Sequence, residues 1–193
     1  MAKYAAHFVV MIGTIVAEDF YLKENYGSLY ETSNGALAAP RAFGLVVLVN
    51  VVISALVVMM IGFSVGGARS KFTARALKEG DKDAEKRFSL PKMQAEGFTD
   101  AAFDFNNLQR GHQQILESYQ IYLVTAVLGG LEYPVAVAMY GVIWMKARMD
   151  WAAGYKEGGP KNRYNKGIAL QVWFALLVNL FASGKLAYKM LMN

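Results

Sequence analysis

The sequence predicts an all-α integral membrane protein: a four-helix transmembrane bundle preceded by a short extra N-terminal helix. Three observations predict it. Hydrophobic residues make up 55% of the 193-residue chain and mean hydropathy is +0.24, both high for a domain that folds in water. The apolar residues are gathered into blocks, and a helix needs roughly 20 of them to cross a hydrocarbon core about 30 Å thick. The Lys and Arg residues are concentrated in two polar stretches between the blocks.

Residues 1–40 form an N-terminal extension. Within it Ala5 to Ala17 is apolar apart from His7 and Thr14 and is followed by Glu18, Asp19, Lys23 and Glu24. That block is too short to span, so a helix lying at the interface or packed on the bundle is expected. Lys3 is a thin basic start and Glu18-Asp19 a poor cleavage site, which argues against a secretory signal.

Residues 41–193 form the membrane domain, with helices expected over about 41–67, 105–130, 133–155 and 166–190. The first is the clearest: after Pro40, Phe43 to Val65 is interrupted only by Asn50, Ser54 and Ser64 among apolar and glycine residues. The second is apolar from Tyr119 to Leu131 but extends back through Arg110, His112, Gln113, Gln114 and Glu117. The third runs from Tyr133 to Met145 and on into Lys146, Arg148 and Asp150, and the fourth covers Ile168 to Ala187. Helices two and three are joined by the short turn from Gly129 to Pro134, so their charged ends face the same side of the membrane.

The stretch 68–104 carries Arg69, Lys71, Arg75, Lys78, Lys82, Lys86, Arg87 and Lys92, and the stretch 156–166 adds Lys161 and Arg163. The turn at 129–134 has neither Lys nor Arg. The positive-inside rule then puts both long basic loops in the cytosol, and the turn and both termini on the other side. The same rule accounts for the net charge of +5, which in a soluble protein would suggest a nucleic-acid partner; none is expected here.

Several chemistries are excluded. With no cysteine there is no disulfide, thiol nucleophile or thiolate metal ligand. His7 and His112, the only histidines, sit in different segments, so no metal site is expected. There is no internal repeat, P-loop, GxGxxG or HExxH pattern.

What remains is the charged half of the second and third helices. A charge at the centre of a membrane helix costs about 2.5–3.5 kcal/mol, so such residues face water, partners or ligands. Arg110, Gln114 and Glu117 stand at i, i+4 and i+7 on one helical face; Arg148, Trp151 and Tyr155 repeat the arrangement on the third helix. Guanidinium forks pair with carboxylates, a Glu takes an ammonium and a Tyr donates its hydroxyl, so the set suits a small, multiply charged, peptide-like ligand. On spacing alone two roles stay open: a ligand site, or charges that snorkel to headgroups and tie neighbouring helices together. Trp151 alone reads as an interfacial anchor and His112 alone as a packing residue.

The segment Phe105-Asn-Asn-Leu-Gln-Arg110-Gly-His-Gln-Gln-Ile-Leu-Glu117 resembles the signature of the MAPEG family, membrane-associated proteins of eicosanoid and glutathione metabolism. It is closest to the type 3 branch of microsomal glutathione transferases, as are the Gly129-Gly130-Leu131 to Pro134 turn and Arg148 followed by Gly154-Tyr155 and Gly159-Pro160. The resemblance implies a homotrimer of four-helix protomers that binds glutathione as co-substrate between protomers near the cytosolic face. It implies that Arg69, Arg110, Glu117, Arg148 and Tyr155 hold glutathione, with Gln114 and Trp151 beside them. Arg163 and Tyr155 would be the catalytic pair, Arg163 stabilising the thiolate. This chain departs from the family at Gln114, where Asn is usual, at Ser118, where several members carry Tyr, and at Trp151, where many carry Tyr or His. The loop 68–104 and the first 40 residues are also long for the family.

Two functions follow from the resemblance. One is a membrane-bound glutathione transferase or lipid hydroperoxide peroxidase, acting on a lipophilic substrate that enters from the bilayer, in the endoplasmic reticulum or another organelle such as the mitochondrial outer membrane. The other is a non-catalytic membrane subunit docked in a larger complex, retaining glutathione or a membrane lipid. A transporter would need a polar path through the membrane, toward which only Asn50, Asn179 and Lys185 point.

Overall fold

A computed structural model describes residues 2–33, 38–89 and 92–192. It is 80% helical and has no strand among the described residues. The helices are α1 (Ala2–Ala17), α2 (Phe43–Lys78), α3 (Ala84–Arg87), α4 (Asp100–Gly130), α5 (Pro134–Gly158) and α6 (Gln171–Met192). The all-α membrane architecture expected from the sequence is present. Among the described residues three segments are long and apolar enough to cross a membrane: Ala5–Asn25, Phe43–Lys78 and Gln171–Met192. Helices α4 and α5 fall outside that set because each has a charged half, the property that singled them out in the sequence.

The extra N-terminal helix is longer than expected. It does not stop at Glu18-Asp19 but continues through a π-helical turn, Glu18–Leu22, into Lys23–Asn25. The reason is that both acids are answered by the turn between α4 and α5. The first N–H groups of a helix have no partner within it, and Pro134 at the start of α5 supplies none. Glu18 caps the next two: its carboxylate accepts from the Val135 N–H at 2.9 Å and the Ala136 N–H at 2.6 Å, and from the Tyr30 hydroxyl at 3.0 Å. Asp19 accepts from the Tyr133 hydroxyl at 2.7 Å and pairs with Lys23 at 2.7 Å, while Lys23 and Lys189 both reach Glu132. A pair of acids that reads as a helix stop is thereby built into the helix.

The chain divides into two compact units, to both of which α2, α4 and α5 contribute. The first comprises residues 1–55, 119–146 and 170–193. Its centre is polar for a membrane interior. Around Asn50 α2 widens into a π-helical stretch, Val47–Ile53, and the fully buried Asn50 amide donates to the Tyr122 hydroxyl at 3.0 Å and the Val137 carbonyl at 3.2 Å. Ser54 shares a 2.9 Å hydrogen bond with the Tyr119 hydroxyl, and Tyr122 stacks on Trp144 with ring centroids 3.9 Å apart. Gly141 makes this approach possible: a Cβ there would fall 2.6 Å from the Asn50 amide nitrogen. Close approach through small residues and interhelical hydrogen bonds is how membrane helices associate without a hydrophobic drive between them.

The second unit comprises residues 56–118 and 147–169. Much of its core is apolar, with the rings of Phe72, Phe88 and Phe105 packed among small residues such as Ala76, Ala84 and Ala101. The basic stretch after α2 is therefore folded rather than merely solvated. Asp81 clasps Arg87 at 2.6 Å, and the Asn106 amide bonds the backbone of Ala95 from both sides, at 2.8 and 2.9 Å.

Candidate functional site

All the residues singled out as candidates fall in the second unit, on α2, α4, α5 and the loop after α5. The i, i+7 spacing of Arg110 and Glu117 does what it predicts. Two turns of α4 place the guanidinium above the carboxylate in a two-point fork, with contacts of 2.5 and 3.1 Å. The pair is open, the side chains being 42% and 55% exposed, and Tyr155 on α5 lies near the same guanidinium.

Arg148 is the opposite case. Its side chain is 2% exposed, and the guanidinium donates to the Gln114 carbonyl oxygen and, at 2.6 Å, to the Ser118 hydroxyl. Ser118 in turn donates to the Gln114 backbone carbonyl at 2.9 Å, one turn back on α4. Two of the three departures from the family pattern thus lie together as the partners of one buried arginine. Ser118, noted in the sequence as a departure and not as a ligand, stands four residues after Gln114 and so shares its face of α4.

The third departure, Trp151, is 3% exposed and packs against Tyr155 with centroids 4.9 Å apart. It lines the floor under Tyr155 and is not the exposed interfacial anchor that a lone tryptophan suggests. Arg163 lies half-buried in the loop after α5, its guanidinium 5.2 Å from the Tyr164 ring centre. Gly154 brings that loop in. A Cβ at Gly154 would fall 2.6 Å from the Asn162 carbonyl oxygen and 3.4 Å from the Arg163 Cα, so only glycine lets the loop backbone lie against α5 beside Tyr155.

Arg69 is committed elsewhere. Its guanidinium donates to the backbone carbonyls of Phe88 at 3.1 Å and Lys92 at 2.8 Å and lies 5.0 Å from the centre of the Phe105 ring. It pins the loop after α2 and closes the phenylalanine cluster. His112 packs its ring against Gly62, the packing role expected of it. Among the described residues no cluster of His, Asp and Glu is arranged to hold a metal.

The site is therefore an accessible Arg–Glu pair flanked by a tyrosine, beside a buried arginine held by an amide and a hydroxyl. It offers charges of both signs and an aromatic face, and no glycine-rich backbone cradle for phosphate. The segment that builds it, from the second half of α2 to the loop after α5, lies within residues 47–184, which match the MAPEG family model. That match covers most of the chain, including the parts of α2, α4, α5 and α6 that carry the site and the apolar spans, and the chain belongs to the MAPEG family, which includes glutathione transferases and related proteins.

Proposed function

We propose that the chain is a membrane-bound glutathione transferase, or a glutathione-dependent lipid hydroperoxide peroxidase, of the type 3 microsomal branch. It works as a homotrimer in the endoplasmic reticulum or another organelle membrane, with its basic loops in the cytosol. The observation that carries this reading is the open Arg110–Glu117 pair with Tyr155 beside it. A charged pair this exposed is tolerated at membrane depth only where water, ligand or another chain covers it, which supports a site between protomers.

The donor set fits glutathione. One of its two carboxylates matches the guanidinium of Arg110, its ammonium matches Glu117, and its peptide groups match the Tyr155 hydroxyl. Arg148 acts from beneath: its buried charge fixes the Gln114 and Ser118 side chains and with them the shape of the α4 face. Glutathione supplies a thiol whose ionised form is the nucleophile. A guanidinium nearby favours that form, and Arg163, held against α5 at Gly154, is assigned this role. The lipophilic substrate reaches the site laterally from the bilayer.

Purified protein in detergent, given glutathione and a chromogenic electrophile, tests the reading. The wild type should turn over, Arg163→Ala should lose rate with little loss of binding, and Arg110→Ala should bind glutathione at least tenfold more weakly by calorimetry, a change of about 1.4 kcal/mol. Absence of turnover in the wild type above that of the variants sinks the enzyme reading.

A specific observation favours a second reading, a non-catalytic subunit of a larger membrane complex. Arg69, which the resemblance assigns to glutathione, spends its guanidinium on the backbone of the loop after α2. Glutathione binding lost in Arg110→Ala, without turnover in the wild type, would single out this reading.

A further inference from the structure

Helix α1 precedes the residues that match the family, and nothing in the proposed chemistry uses it. Its placement is nevertheless specific. Buried or half-buried positions fall at His7, Met11, Thr14, Ile15 and Glu18, a single stripe at helical spacing from His7 onward. The other side exposes Phe8, Val9, Ile12, Val16 and Phe20, all apolar.

The stripe packs along α6, and the contacts fix direction and depth. Near the start of α6 the Gln171 amide meets the His7 ring at 2.6 Å, and that ring lies 5.3 Å from the ring of Phe174. Between the middles of the two helices lies a cavity of about 320 Å³, lined by Met11, Ile15 and Val16 of α1 and Val178 and Phe181 of α6. Its polar residues, Asp19, Tyr133 and Lys185, come from the far ends of the two helices and the adjoining turn. Position thus advances from 7 to 19 on α1 as it advances from 171 to 185 on α6: the helices run parallel, over about 18 and 21 Å of axis respectively.

An interfacial helix should present a charged face, usually basic, and lie across the spans. From Ala5 to Ala17 α1 has no Lys, Arg, Asp or Glu, and it runs alongside a helix that itself qualifies as a span. The full segment Ala5–Asn25 has 21 residues, about 30 Å of helix, which matches the hydrocarbon thickness. The charged residues that argue against spanning, Glu18, Asp19 and Lys23, fall in its last turns and are paired there with Tyr133, Glu132 and the backbone of α5.

We propose that α1 is a fifth transmembrane helix, solvated on its outer face by bilayer hydrocarbon, so that the two ends of the chain lie on opposite sides of the membrane. The N-terminus joins the basic loops, because α6 starts from the basic loop 156–166 and α1 runs parallel to it. This replaces the sequence-based expectation that both termini share the side opposite those loops.

The natural absence of cysteine makes the test direct. Ala2→Cys, Lys82→Cys and Asn193→Cys, each in the full chain, are labelled in sealed vesicles with a membrane-impermeant maleimide, before and after permeabilisation. Expected is that Ala2→Cys and Lys82→Cys react from one side and Asn193→Cys from the other. A Gly-Ser-Cys leader ahead of Met1 repeats the first measurement clear of the headgroups. Labelling of the N-terminal cysteine in step with Asn193→Cys, by either version, overturns the fifth span. The outcome is independent of glutathione turnover, which rests on residues of the other unit.

Discussion

Two of the charged clusters in the chain are built on different terms. In the first unit Glu18, 1% exposed, has its carboxylate filled by two backbone N–H groups and a tyrosine hydroxyl, and Glu132 is held by two lysines. In the second unit Arg110 and Glu117 answer each other but stand in the open. The first arrangement spends its charge on the protein: removing a partner leaves a buried group unanswered. The second keeps its charge accessible, so a carboxylate or ammonium arriving from outside can exchange with it at low cost. Charged residues in membrane helices are candidates for function, and the distinction between filled and open partners separates scaffold from site.

The largest effect should come from breaking the filled cluster. Glu18→Ala removes two charge-assisted bonds at the start of α5 and should cost about 3 kcal/mol of stability by unfolding in detergent or SDS. Glu18→Gln, which keeps an acceptor oxygen, should cost less, and neither should change glutathione affinity in protein that remains folded. Equal losses from the two variants would show that the charge of the Glu18 carboxylate, and not merely an acceptor oxygen, makes the cap. Next is Gly141→Ala, whose added methyl meets Asn50, at about 2 kcal/mol. A Gly141→Ala chain as stable as wild type would mean that the Asn50–Tyr122 contact does not organise that core.

Smaller effects belong to the second unit. Arg148→Lys keeps the charge but cannot reach the Gln114 carbonyl and Ser118 together, and should lose about 1.5 kcal/mol. Arg110→Ala and Glu117→Ala should each change stability by under about 1 kcal/mol, because exposed ion pairs contribute little. If either destabilises the protein as much as Glu18→Ala, the open pair is scaffold after all, and the contrast between the clusters fails.

The sequence reveals whatever depends on local spacing. The apolar run of α2 is legible because it is continuous, and the Arg110–Glu117 pair because seven residues make two helical turns. The full length of α1 was hidden, since Glu18 and Asp19 look like a helix stop until their partners at 133–136 come into view. The engagement of Arg69 was hidden for the same reason: its acceptors are loop carbonyls 19 and 23 residues away, and a carbonyl has no sequence signature. In the Asn106-Asn107 pair the motif was visible, but the role of Asn106 in holding Ala95 was not.

The smallest effect concerns a third kind of pair, closed within the loop after α2 and outside the membrane spans. The Arg87 guanidinium beside Asp81 holds that carboxyl below the ordinary Asp range. The sign follows: because the folded value is depressed, the clasp stabilises the loop above the ordinary Asp value and is lost as pH falls through the folded one. Limited pepsin digestion in the acid range should therefore open the loop after α2 progressively as pH drops, with the earliest cuts between Gly80 and Phe88. Asp81→Asn, digested at neutral pH with a neutral protease, should reproduce that opening while leaving the spans intact. An Asp81→Asn loop as resistant as wild type would show that Arg69 and Asn106 hold the segment without the clasp. The acid opening would then have to be traced to other carboxylates nearby, such as Asp104, which pairs with Arg75 at 2.5 Å.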